Sequence, residues 1–157
     1  MSALLIHILL ALAWMAVNGS FSLTDLIVGL VLGLLVLSIA SPFKSGQGYA
    51  ARIWRGLRFF LWFLKELWVS SIKVAYDIVT PNLRARPGVI AVPLDAETDL
   101  EITMLACLVT LTPGTLSLDV SPDRRILYIH AMFVTDPDAI RAEIKDGMEK
   151  RLLEVLR

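Results

Sequence analysis

Few side chains in this chain are equipped for chemistry. Two histidines, His7 and His130, one thiol, Cys107, and scattered carboxylates make up the reactive set. An ionisable group inside an apolar run is a functional candidate by default, because lipid offers it no solvation. His7, within ALLIHILLALAWMAV at 3–17, is such a group, and a proton is the cargo it could handle. Its place near the start of the run also lets it reach headgroups. Asp25 follows Ser22 by three positions, so helix-start capping competes with an ion-ligand role. Lys73 and Asp77 form an i,i+4 pair worth a few tenths of a kcal/mol. His130 alternates with Tyr128 and Met132 on one strand face and reads as a packed histidine. Cys107, in an apolar run and with no second cysteine to bond, reads as a small core residue. No nucleophile–base pairing, phosphate loop or metal-ligand spacing emerges. Hence no catalytic, cofactor or metal residue is assigned, no cofactor is expected, and the chain does not read as an enzyme.

The elements holding these residues are unusually apolar. Of 157 residues, 56% are hydrophobic, and mean hydropathy is +0.67, which points to a membrane protein. Net charge is zero but unevenly laid out. Residues 1–87 carry eight Lys/Arg and three Asp/Glu; residues 88–157 carry seven and twelve. A basic, apolar half followed by an acidic half suggests a membrane part and a water-facing domain, with no nucleic-acid partner.

The first apolar run spans about 27 Å, barely a bilayer core, and the second, 21–41, about 31 Å. MSALLIHILL has no basic start, and no good cleavage site precedes Asn18-Gly19-Ser20, so a signal peptide is not expected. NGS matches a glycosylation sequon but reads as a turn between two antiparallel helices. Gly29 and Gly33, four apart, would let another helix backbone come close. Segment 54–79 differs. Arg55, Arg58, Lys65, Glu66, Ser70, Lys73 and Asp77 fall within about 140° of arc, away from a Trp- and Phe-rich face. As a lone span it gains roughly 4 kcal/mol from apolar residues and loses roughly 9 on Lys65, Glu66 and Lys73. It therefore lies in the interface or turns its polar stripe to protein; three full spans is the rival. Basic flanks at Lys44, Arg52, Arg55 and Arg58, and at Arg84 and Arg86, place those loops in the cytoplasm, giving two spans, an interfacial helix and a cytoplasmic domain. The divisions are a hairpin at 1–41, a basic loop and amphipathic helix at 42–86, and an α+β domain at 87–157.

In the last part, GVIAVPL at 88–94 reads as an edge strand. Thr98-x-x-Glu101 is a capping-box pattern opening a helix to about Leu111. That helix is apolar almost all round and too short to span, so both faces need cover. Pro113-Gly114 stops it. Residues 115–120 then alternate, placing Leu116, Leu118 and Val120 inward. A turn at 121–124 leads to strand 125–134. Asp136-Pro137 starts a last helix with Ile140, Ile144, Met148, Leu152 and Val155 buried. The order βαββα resembles a ferredoxin-like layer without its last strand.

LTPGTLSLDV at 111–120 resembles the signature of the E-type subunit of the Mrp-type (Mnh, Pha) multisubunit Na⁺/H⁺ antiporter. The resemblance extends to the N-terminal hairpin, the Trp/Phe-rich segment ending in Lys73-x-x-x-Asp77, and the VIAVPL strand. It implies a bacterial inner-membrane complex whose large subunits, similar to the proton-pumping membrane subunits of respiratory complex I, carry the ions. The E-type subunit is then a small accessory companion, partnered by the other subunits and the bilayer, without catalytic residues. The motif residues Thr112, Pro113, Gly114, Thr115, Leu118, Asp119 and Val120 read as a corner the fold needs. Two other functions compete, a free-standing small transporter and a membrane-tethered regulatory domain. A transporter should carry paired intramembrane charges, and a tethered soluble domain should not contain so apolar a helix as 99–111.

Overall fold

The computed structural model describes residues 3–40, 48–81 and 85–157. Lys44, Arg84 and the expected boundary at 41–42 lie outside the described residues. The chain forms two compact units, Met1–Gly56 and Leu57–Arg157.

The first unit holds α1 (Ala3–Asn18), α2 (Leu23–Ala40) and the first turns of α3 (Tyr49–Val79). Among the described residues, α2 is the one helix both long and apolar enough to cross a bilayer; α1 has 16 residues and falls short. Gly19, at φ +66°, reverses the chain between them. Its N–H donates to Ala16 O and that of Ser20 to Met15 O, which satisfies carbonyls the helix end leaves open. The helices run antiparallel in close contact. A Cβ on Gly29 would lie 2.8 Å from Ala11 O, and one on Gly33 would lie 2.8 Å from the His7 ring.

The second unit packs helices on one face of a small sheet. Strands β1 (Gly88–Pro93), β2 (Thr115–Val120) and β3 (Ile126–Ala131) lie in the order β1-β3-β2, with β3 antiparallel to both neighbours. Ile90, Val92, Leu127, Ile129 and Ala131 form the inner face. They meet Leu105 and Val109 of α4 (Asp99–Leu111) and Ile144, Met148 and Leu152 of the C-terminal helix. Phe63 of α3 is buried in the same core. The C-terminal helix is α5 (Pro137–Ala142), a π-helical segment (Glu143–Glu149) and α6 (Lys150–Leu156). Its stripe recurs every four residues, which drifts about 40° per step on a regular α-helix. The wider π turns hold Ile144, Met148 and Leu152 on the core. Ile140 and Val155, also expected to be buried, are only partly covered.

Two sequence expectations are corrected here. Leu116 and Leu118 are 44% and 50% exposed rather than inward. Thr115 and Ser117 take the inward side because their hydroxyls reach α4 carbonyls. Thr115 Oγ1 lies 2.6 Å from Val109 O, and Ser117 Oγ donates to Ala106 O at 2.9 Å. A bulge between Ser117 and Asp119 then turns the chain so that Val120 packs on the core. Cys107 is exposed, not a core residue. It sits two positions from both Leu105 and Val109, so the helical period turns it away from the face they bury.

The start of α4 is fixed twice. Thr98 accepts from the Glu101 N–H, and Glu101 accepts from the Glu97 and Thr98 N–H groups. Arg157, at the far end of the chain, donates to the same carboxylate at 2.9 Å. That guanidinium first, and then the Thr98 and Glu97 N–H groups, hold the buried Glu101 carboxyl down to about 2 from its ordinary 4.5. The unfolded chain therefore binds a proton at Glu101 at higher pH than the folded one does. Its stabilising contribution is whole above about 4.5 and is lost as pH falls toward about 2. Glu101→Gln should lower stability at neutral pH and flatten its decline across that window. Denaturant unfolding of the full chain in detergent, repeated across that acid window, measures the slope; an unchanged slope would remove Glu101 as its source.

Candidate functional site

Within the Leu57–Arg157 unit, a cleft of about 500 Å³ opens beside the Thr112–Thr115 corner. One wall is α3, which presents Trp62, Glu66, Ser70, Lys73 and Asp77, spaced four or three apart and so on one face. The floor is Val109, Ala131, Ile140, Ile144 and Met148, with Asp136 and Glu143 also lining it. Much of the polar stripe of α3 thus turns toward protein of its own chain. Phe60, Leu61, Trp68, Ile72 and Val79 on the same helix are left exposed. Arg151 stands over the Trp62 ring at 4.7 Å, a cation–π contact tying the last helix to α3. Asp77 is almost wholly buried where it lines the cleft.

Hydroxyls and one glycine build the corner. Helix α4 ends with carbonyls that have no intrahelical partner. The Thr112 N–H donates to Leu108 O and Val109 O, and Thr112 Oγ1 donates to Leu108 O at 2.9 Å. Thr115 Oγ1 serves Val109 O from the other side of the turn. Pro113 cannot continue the helix, having no N–H and clashing with the preceding turn. Gly114 adopts φ +91° and gives its carbonyl to the Met132 N–H at 2.8 Å, stitching the corner to the end of β3. A Cβ at Gly114 would stand 3.5 Å from Val74 of α3, so the corner is also where α3 rests.

The remaining motif residues have other work. Leu118 is exposed at the bulge, and the exposed Asp119 uses Oδ1 to accept the Val120 N–H at 2.8 Å. His7, Asp25, Gly29 and Gly33 belong to the first unit. His7 is buried, with Nε2 2.7 Å from Leu30 O and Nδ1 2.9 Å from the Tyr49 hydroxyl. Since a carbonyl only accepts, Nε2 carries the proton and, in the neutral ring, Tyr49 donates to Nδ1. Asp25 accepts from the hydroxyls of Ser20 and Ser22, while Ser22 Oγ accepts the Asp25 N–H. His130 is half-buried on the outer sheet face between Val89 and Leu116. Sequence reasoning did not find Trp62, Val74 or Phe133 as parts of the site. The four-residue spacing of Trp62, Glu66 and Ser70 is the signal that could have placed them on one wall.

Gly114→Val places a β-branched side chain at a positive φ and should cost roughly 1–3 kcal/mol. The loss should appear as a lower unfolding midpoint together with faster amide exchange in both α4 and β2. Asp119→Asn keeps an oxygen for the Val120 N–H and should stay within about 0.5 kcal/mol of the parent. Equal stability of the Gly114→Val protein would show that the corner does not need its glycine.

Comparison with known proteins gives this geometry its setting. The family of Na⁺/H⁺ ion antiporter subunits, MNHE, matches residues 7–155. The E-type Na⁺/H⁺ antiporter subunit of Bacillus subtilis is 38% identical over 154 residues, covering 98% of both chains. Its namesake from Alkalihalophilus pseudofirmus is 34% identical with the same coverage. Among solved structures, a chain of the Mrp complex from a Dietzia species is 34% identical at TM-score 0.52, covering 66% of this chain and 96% of that one. A chain of an archaeal membrane-bound sulfane sulfur reductase shares the fold at TM-score 0.60 and 24% identity, over 98% of each. Matched nearly end to end, the chain belongs to the MNHE family of Na⁺/H⁺ ion antiporter subunits.

Proposed function

We propose that this chain is a non-catalytic accessory subunit of a multisubunit Na⁺/H⁺ antiporter in a bacterial inner membrane. The end-to-end likeness to antiporter subunits of the E type carries the reading. The state of the titratable groups in the first unit supports it. His7 and Asp25 are each held by neighbours in fixed hydrogen bonds. Both His7 nitrogens are occupied, one by a backbone carbonyl that cannot pass a proton on. Ion movement then belongs to other subunits, and this chain contributes assembly surface.

In this reading α1 and α2 form a membrane hairpin with Gly29 and Gly33 at its seam. Helix α3 lies along the interface with its apolar face toward lipid, and the α+β part is cytoplasmic. The strand order β1-β3-β2, with α4 crossing from β1 to β2, supports a ferredoxin-like layer lacking the last strand. Corner 112–115 serves packing, joining α4, β3 and α3, and does no chemistry. The division at 1–41, 42–86 and 87–157 is kept as a functional one. The second part supplies α3, whose far end builds the cleft wall.

Purification of the tagged chain in mild detergent should bring the other antiporter subunits with it. A monodisperse monomer that by itself exchanges Na⁺ for H⁺ in liposomes would refute the accessory role. For topology, an Asp123→Cys protein in a Cys107→Ala background should resist an impermeant thiol reagent until the inner membrane is opened. Labelling in intact cells would reverse the assigned orientation.

A further inference from the structure

The fold divides the polar stripe of α3 by charge. This helix carries two acids, Glu66 and Asp77, and both line the cleft together with Ser70 and Lys73. Arg58 and Lys65 are left outside and exposed, and among the described residues neither has an ion-pair partner. Seven positions apart, they lie within about 20° of each other around the helix and about 10 Å apart along it. Beside them runs an uncovered apolar face. Phe60, Leu61, Leu64, Trp68, Ile72 and Val79 are between 37% and 79% exposed, and they span about 120° of arc. The two cations stand at one margin of that arc, and no acid of α3 stands on it.

We infer that this margin of α3 binds the headgroups of anionic phospholipids, with Arg58 and Lys65 donating to phosphate oxygens while Trp68 and its neighbours enter the acyl boundary. The inference rests on the interfacial placement of α3 proposed above and adds a choice of headgroup to it. Guanidinium offers a planar fork to two phosphate oxygens, and ammonium offers a compact charge. A zwitterionic surface would cover the apolar face equally well and leave both cations without net negative charge to meet. Another protein helix is the poorer occupant. Its seam follows two positions in seven, a narrower stripe than the arc exposed here. An apolar face with Trp and Phe on it and Lys and Arg at its edge is the pattern by which helices lie on anionic membranes.

Val69 lies one turn beyond Lys65 on the same flank and is 37% exposed. A Val69→p-benzoylphenylalanine chain is assembled with its whole complex, moved into nanodiscs of equal parts phosphatidylglycerol and phosphatidylcholine, and irradiated. Mass spectrometry identifies the adduct. Phosphatidylglycerol adducts should exceed phosphatidylcholine adducts at least about threefold, and Arg58→Gln with Lys65→Gln should bring the two to parity. Equal adducts from the outset, or a preference that survives the double change, overturn the inference while leaving α3 beside lipid. An adduct with another subunit, with a second copy of this chain, or with nothing overturns the inference and the interfacial placement together. A second readout keeps the native side chain at position 69. Native mass spectrometry of the complex gives the share of this chain that leaves with phosphatidylglycerol attached, and the double change should cut that share at least about threefold. An unchanged share overturns the inference, and this readout decides alone if the Val69 variant fails to assemble.

Discussion

The ends of α4 govern the second unit. This helix is apolar on nearly every side, so burial alone would hold it against the sheet without fixing its position along its own axis. The ends supply that position. At the start, Thr98 and Glu101 satisfy each other's backbone groups, and Arg157 closes over the carboxylate. At the finish, Thr112 and Thr115 take the last carbonyls, Pro113 forbids another turn, and Gly114 turns the chain through a positive φ. Each cap is worth about 1 kcal/mol, while a buried polar group left unpaired costs about 1–3. A slip of one residue would lose several of these together. The register of β2 follows, because Thr115 and Ser117 must stay in reach of Val109 and Ala106.

Helix α3 then acquires its direction from the corner. Val74 rests at Gly114, and Phe63 enters the core. With those contacts made, Glu66, Ser70, Lys73 and Asp77 line a cleft of about 500 Å³ and a row of aromatic and aliphatic side chains is left outside. For a protein in water this would be an inverted helix. In the proposed placement beside lipid it is the favourable arrangement, since charged groups keep polar neighbours within the fold and the apolar face needs none. The first unit solves a similar problem at smaller scale. In the proposed membrane hairpin two apolar helices gain little from hydrophobic contact. They approach instead through Gly29 and Gly33, and His7 adds bonds to Leu30 and Tyr49.

Local signals in the sequence determined most elements and their ends. The capping box at Thr98–Glu101, the Pro113-Gly114 stop, the Asp136-Pro137 start and the Asn18-Gly19-Ser20 turn all act over a few residues, so the residue types alone specify them. The family was legible for the same reason, in one contiguous motif, LTPGTLSLDV. Tertiary structure decided what depends on partners distant in sequence. Alternation at 115–120 pointed the leucines inward, yet two hydroxyl–carbonyl bonds to α4 and a bulge put Thr115 and Ser117 there instead. Composition placed Cys107 inside; the phase of α4 placed it outside. The hold on Glu101 crosses 56 positions and that on His7 crosses 42. A periodic pattern says that a helix has two faces, but which neighbour each face meets is set only when the chain has closed on itself.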